Sequence, residues 1–193
     1  MMRNCSCNMH SPAFRPRIFT PASLAPLLLA LALGAPAATA RGDDLPAPDL
    51  GGCQDLQVPD GNTLILHAFG VGVQIYRWNG TSWVFVVPQA ILFADLGGDE
   101  IVAIHFGGPT WEGVDGSVVV GSAIESCTPD PSAIPWLLLR PVFTEGPGVF
   151  DRVSYIQRLF TVGGKAPAVP GAFPGQVARV PYTADYLFYR SDQ

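Results

Sequence analysis

From Gly61 onward, short apolar runs alternate with polar residues, and each run stops at Gly, Pro or Asn. A period of two places successive side chains on opposite faces of a pleated strand. Thr63 to Phe69 reads as one strand and Gly72 to Trp78 as another, with Val73 and Ile75 on one side and Gln74 and Tyr76 on the other. Asn79-Gly80-Thr81-Ser82 is a turn signal, because Asn and Gly tolerate the positive φ of tight hairpins. Trp83 to Val87 is the returning strand, and Pro88 stops it.

The same grammar continues. Ala90 to Phe93 is a short run, Leu96-Gly97-Gly98-Asp99 a turn, and Ile101 to Phe106 a strand broken by Gly107-Gly108-Pro109. Ser117 to Ile124 is a Val-rich strand behind Asp115-Gly116. Trp136 to Leu139 is apolar and bounded by Pro135 and Pro141, and Ile134 to Leu139 equally fits one helical turn. Val153 to Thr161 alternates or forms a short helix; Gly163-Gly164 and Pro167 to Gly175 are irregular; Pro181 to Tyr189 is a last aromatic segment. With 21 Gly and 19 Pro, no long window keeps helical periodicity without a breaker. Strands at this spacing predict a mostly all-β fold, a single antiparallel β-sandwich or barrel with irregular Gly/Pro-rich loops.

The first 40 residues follow another pattern. Arg3, Arg15 and Arg17 carry all their charge, an apolar run reaches Leu33, and Ala38-Thr39-Ala40 is a small-x-small exit. Residues 1–40 therefore read as a secretory signal peptide, with Met9 an alternative start. The alternative, an uncleaved anchor, has too short and Pro-interrupted a run for a span of about 20 apolar residues. Residues 41–60 read as a flexible lead-in and 61–193 as the β-rich domain. The expected location is exported, periplasmic or extracellular, with no membrane span after cleavage. Leu50-Gly51-Gly52-Cys53 resembles a lipid-attachment box, but it lies far downstream of the apolar run that such a box should abut.

Export changes the charge and the cysteine chemistry. Three of the 11 Lys and Arg lie in the leader, so eight remain against all 16 acids, giving a formal charge of −8 against −5 for the whole chain. An acidic surface without a basic cluster repels phosphate backbones, so nucleic acid is excluded as a partner. Cys5 and Cys7 leave with the leader, and Cys53 and Cys127 are expected to pair.

Several phrases carry a family resemblance. They are Gly72-Val73-Gln74-Ile75-Tyr76, Gly107-Gly108-Pro109-Thr110-Trp111-Glu112, Asp115-Gly116-Ser117 and Ile134-Pro135-Trp136-Leu137-Leu138-Leu139. Tyr155-Ile156-Gln157-Arg158 follows, with Thr161, Gly163-Gly164 and Ala166-Pro167, then Val180-Pro181-Tyr182-Thr183-Ala184-Asp185-Tyr186 and Phe188-Tyr189. In this order they resemble the exported bacterial and fungal proteins catalogued as domain of unknown function 3455. The resemblance implies an exported β-rich domain and brings no activity, so no catalytic residue is carried over. Members often have Cys where Trp78 stands, Gly-Cys-Asp near Ala172-Phe173-Pro174, and Asn where Phe160 stands. The departures suggest that Trp78 and Phe173 touch here as an apolar substitute.

Candidate chemistry concentrates between His105 and Ser117. If the Gly-Gly-Pro turn folds Glu112 and Asp115 back toward His105, one imidazole and two carboxylates converge. A structural turn with Trp111 in the core is the competing reading, and no metal or cofactor is expected, because no tight His or Cys spacing announces a metal site. Ser117, His105 and Asp115 make a triad on paper but lack the Gly-x-Ser-x-Gly elbow. Gly70-Val71-Gly72 lacks the third glycine and the following helix of a dinucleotide loop. Asn79-Gly80-Thr81 is read as a turn rather than a glycosylation acceptor. Arg158, if buried, needs a carboxylate such as Asp185 or Asp115, a structural ion pair being favoured over an anion-binding site.

These readings favour an exported non-enzymatic binding or structural domain, for a small apolar or sugar ligand or a cell-surface component. The alternative is a small exported enzyme with hydrolase-like acid–base chemistry on His105 with Glu112 or Asp115. The candidate binding set is His105, Trp111, Glu112 and Asp115, with Gln74 and Tyr76 from a neighbouring strand. Mass spectrometry of the exported protein should find a chain that begins near Arg41 and carries no lipid; a diacylated Cys53 at the N-terminus would overturn this.

Overall fold

In the computed structural model, residues 47–192 are described; residues 1–46, with the stretch read as a signal peptide, and Gln193 lie outside the described residues. Eight strands follow one another: β1 (Asn62–Trp78), β2 (Trp83–Phe93), β3 (Ile101–Phe106), β4 (Thr110–Gly113), β5 (Val118–Cys127), β6 (Trp136–Glu145), β7 (Val153–Gly163) and β8 (Val177–Ser191). Each pairs antiparallel with the next, and β8 returns to β1, so the sheet closes into a barrel with no crossover. The expected sandwich or barrel is thus an up-and-down barrel.

The β1–β2 hairpin turns where expected. Trp78 faces Trp83, Asn79 Oδ1 accepts the amides of Thr81 and Ser82 at 2.8 Å each, and Gly80 takes a φ of 101°. Several strands run further than the sequence suggests. Gly70 and Gly72 do not break β1: a Cβ on Gly70 would stand 2.6 Å from the Tyr186 ring, and one on Gly72 would stand 2.2 Å from the Gln89 carbonyl. They are glycines because neighbouring groups come too close for a side chain. Pro88 stays inside β2 because pairing with β3 begins only at Ala90, so one edge is free there. β6 likewise passes Pro141, opposite Gly121, where the register shifts.

Residues 153–163 form a strand rather than a helix. Phe160 has a φ of 49° at the register shift between Leu159 and Val162. Asn, which the family resemblance expects there, adopts this left-handed conformation more readily than Phe. Trp78 packs edge-on against Trp83, with ring centroids 5.5 Å apart, and covers Gly171, whereas Phe173 remains 62% exposed. The expected Trp78–Phe173 contact is replaced by these, although Gly175 donates its amide to the Trp78 carbonyl at 2.7 Å, which keeps the two segments adjacent.

Two apolar clusters hold the barrel. Inside, Ala68, Leu92, Ala103, Val119, Ile156 and Phe188 pack with Phe150 from the β6–β7 connection. Outside, Leu50, Cys53, Leu56 and Val58 pack against Leu138, Leu159, Leu187 and Tyr189. From Leu50, then, the stretch read as lead-in is a cover on the barrel wall, with a single 3-10 turn at Gln54–Leu56. Gln157 fastens it, donating to the Leu56 carbonyl at 2.7 Å and accepting from the Tyr189 hydroxyl at 2.8 Å. Because both faces of β7 and β8 are covered, Leu187, Phe188 and Tyr189 are buried in succession, which blurs their alternation.

Cys53 is bonded to Cys127 with Cα atoms 5.8 Å apart across 74 residues of sequence, so the cover is tied to the end of β5. Closing a loop of that length stabilises by up to ~4.5 kcal/mol. Cys127→Ser should lower the free energy of urea unfolding by most of that amount; an unchanged midpoint would show that the cover holds without its tether.

Candidate functional site

The β3–β4 hairpin builds one wall of the candidate site. Gly108 takes a φ of 104° in the tight turn, and the register sets His105 opposite Trp111 and Ile104 opposite Glu112. Strand parity therefore sends His105 and Trp111 into the barrel and Glu112 to its outer surface. The two rings stack at 4.4 Å with planes 11° apart.

Cross-strand pairing adds the other walls. Gln74 and Tyr76 face inward from β1. Arg158 on β7 is paired with Leu137 of β6 and Tyr186 of β8, which share its inward face. These groups meet at one end of the barrel, beside the half of β2 that lacks a β3 partner. There they line a cavity of about 350 Å³ together with Phe85, Val86 and Pro88 of β2, the Gly108-Pro109 turn, and Ile134, Pro135 and Leu139.

The polar groups are few and differently committed. Nδ1 of His105 donates to the Thr110 carbonyl at 2.8 Å, which leaves Nε2 as the acceptor. Burial holds the ring neutral, lowering its pKa from 6.5 to about 4; the Thr110 bond works against this and the nearby Arg158 charge adds to it. The Tyr76 hydroxyl donates to the Gly164 carbonyl at 2.7 Å, and the Tyr182 and Tyr186 hydroxyls lie 3.0 Å apart. Burial raises the pKa of Tyr76, Tyr182 and Tyr186, so all three remain neutral hydroxyls. Arg158 directs Nε and Nη2 at the Pro135 carbonyl, at 3.2 and 2.8 Å. Gln74, only 3% exposed, makes no close hydrogen bond through Nε2 and reaches only loosely toward the Tyr182 hydroxyl, and Nε1 of Trp111 has no partner.

Four of the six anticipated binding residues, Gln74, Tyr76, His105 and Trp111, thus line one cavity. Glu112 and Asp115 do not join them. Asp115 lies at the opposite end of β4, where Oδ1 accepts the Ser117 amide and hydroxyl at 2.9 and 2.6 Å and Oδ2 accepts the Val149 amide at 2.7 Å. The Ser117 hydroxyl lowers its pKa most, and that carboxylate is spent on tying two loops together. Ser117 in turn accepts the Phe150 amide at 3.1 Å, so neither the paper triad nor the His105–carboxylate pair is assembled. The ion pair expected for Arg158 is also absent: Asp185 faces outward to His67 at 2.9 Å, and among the described residues no carboxylate comes within 4 Å of Arg158. Sequence reasoning placed Arg158 in a strand and favoured a structural ion pair over an anion site there, so it left Arg158 out of the candidate binding set.

Fold and cavity define a closed eight-stranded antiparallel barrel, sealed by an apolar core at one end and open at the other through a mostly apolar mouth. The chain belongs to the family described as protein of unknown function DUF3455, whose model matches residues 59–190. No curated protein and no solved structure matches it.

The neutral His105 makes stability depend on pH. Its pKa is about 4 folded against 6.5 for an ordinary imidazole, so between those values the unfolded chain binds the extra proton. The stabilisation is fully present above pH 6.5 and is lost as pH falls toward 4; it amounts to about 3 kcal/mol. His105→Gln should flatten this part of the unfolding free energy between those pH values. Parallel curves for parent and variant would mean that the ring is protonated in place.

Proposed function

We propose that this is an exported binding domain that holds a small, largely apolar molecule in the mouth of its barrel. The observation that carries the reading is the cavity of about 350 Å³, walled by apolar and aromatic side chains and holding a few convergent polar groups. That composition is typical of a pre-formed small-molecule site, in which apolar area supplies affinity and sparse polar groups fix orientation. An eight-stranded barrel has room for its own side chains or for one small ligand, and here the side chains fill only one end. A sugar is disfavoured, because its many hydroxyls need a denser set of hydrogen-bonding partners than these walls offer. The leader and the Cys53–Cys127 bond support work in an oxidising, exported setting. Binding rather than turnover is supported by the placing of Glu112 on the outer surface and Asp115 in the β4–β5 turn, which leaves His105 without a carboxylate beside it.

Calorimetric titration of the secreted domain with 1-decanol should give saturable, one-to-one binding. Leu137→Trp, which places an indole in the cavity, should weaken it by at least about tenfold while costing less than about 2 kcal/mol of stability, because Leu137 is only partly buried. Failure of the parent to bind, or equal binding by the filled variant, would remove the cavity from the explanation.

A further inference from the structure

The unpaired groups in the cavity share one chemical character. Arg158 faces inward between Leu137 and Tyr186, with two of its five N–H donors aimed at the Pro135 carbonyl. Its positive charge has no carboxylate within 4 Å among the described residues. Trp111 Nε1 is a buried donor without a partner, and Gln74 Nε2 makes no close hydrogen bond, only a looser approach to the Tyr182 hydroxyl. Against these stand hydroxyls already engaged with a carbonyl or with each other and the lone acceptor Nε2 of His105. A mostly enclosed cation surrounded by spare donors calls for an acceptor-rich, negatively charged group. The remaining wall, from Phe85, Val86, Pro88, Leu137 and Leu139, calls for hydrocarbon.

We propose that the ligand is an apolar carboxylate, its head beside Arg158 and Gln74 and its hydrocarbon part along the β2 and β6 walls. The proposal rests on the cavity reading above and narrows it to one ligand class. Recognition of the head must be local, because the mature chain is acidic overall and does not draw anions from a distance. Arg158 then has two duties: its Pro135 bonds hold the start of β6, and the N–H groups left beside the Tyr186 hydroxyl meet the carboxylate.

The test compares ligands of one skeleton on the parent protein: decanoate, 1-decanol and, as a head without a tail, acetate, titrated at pH 7.5. Decanoate should bind at least about tenfold more tightly than decanol, and acetate should not saturate. Arg158→Gln should abolish the preference for decanoate over decanol, while Arg158→Lys should keep part of it, since charge remains but the fork does not. Equal affinities of decanoate and decanol for the parent would overturn the carboxylate inference and leave the apolar cavity reading standing. Saturation by neither would overturn both. Because the ligand comparison is made on the parent, it decides the matter even if an Arg158 variant does not fold.

Discussion

Everything in this barrel depends on a fixed, narrow lumen. Eight strands enclose a space that one layer of side chains can fill, so a large residue on one wall requires a small one across from it or beside it. Tyr186 is accommodated because position 70 has no Cβ, and β1 and β2 lie close together because position 72 has none. Ala68, Ala90 and Ala103 extend this small-residue side, while Trp111, Tyr186 and Phe188 form the large one. Closure of β8 on β1 makes the matching obligatory, since no edge strand can shift to relieve a misfit.

The same lumen divides into two chemistries. At the sealed end the residues are apolar and the polar ones are spent on architecture: Asp115 and Ser117 tie the β4–β5 turn to the loop holding Phe150. At the open end, polar side chains face inward with incomplete partners. There burial sets protonation, keeping His105 neutral and the tyrosines un-ionised, so that Arg158 supplies the charge of the cavity. Buried donors without partners are costly, and a structure retains them where something else supplies the acceptor.

The cover from Leu50 to Val58 gives β7 and β8 a second buried face. It explains how the Gln157–Tyr189 pair can be polar and buried yet outside the lumen. Adjacent residues of one strand thus do opposite work: Gln157 secures the cover, and Arg158 faces the cavity.

Much of this was legible in the chain itself. Period-two runs, turn residues and the Gly and Pro punctuation determined the strands, the β1–β2 hairpin and the antiparallel fold class, because these are local properties of backbone and side-chain geometry. Two cysteines beyond residue 40, Cys53 and Cys127, were enough to suggest their bond. Part of the site could be read as well, since His105, Trp111, Gln74 and Tyr76 fall on the faces that turn inward. What tertiary structure alone decided was long-range. Thr110–Gly113 is too short to declare itself a strand, so Glu112 looked free to fold back, until pairing with β3 sent it outward. Gly70-Val71 read as a break between two strands, because a chain does not reveal that Tyr186 will press against position 70. Asp115 and Asp185 were available partners for Arg158 until the register of β4, β7 and β8 turned both away. Faces follow from local periodicity, but partners depend on register and closure, which form only when distant strands meet.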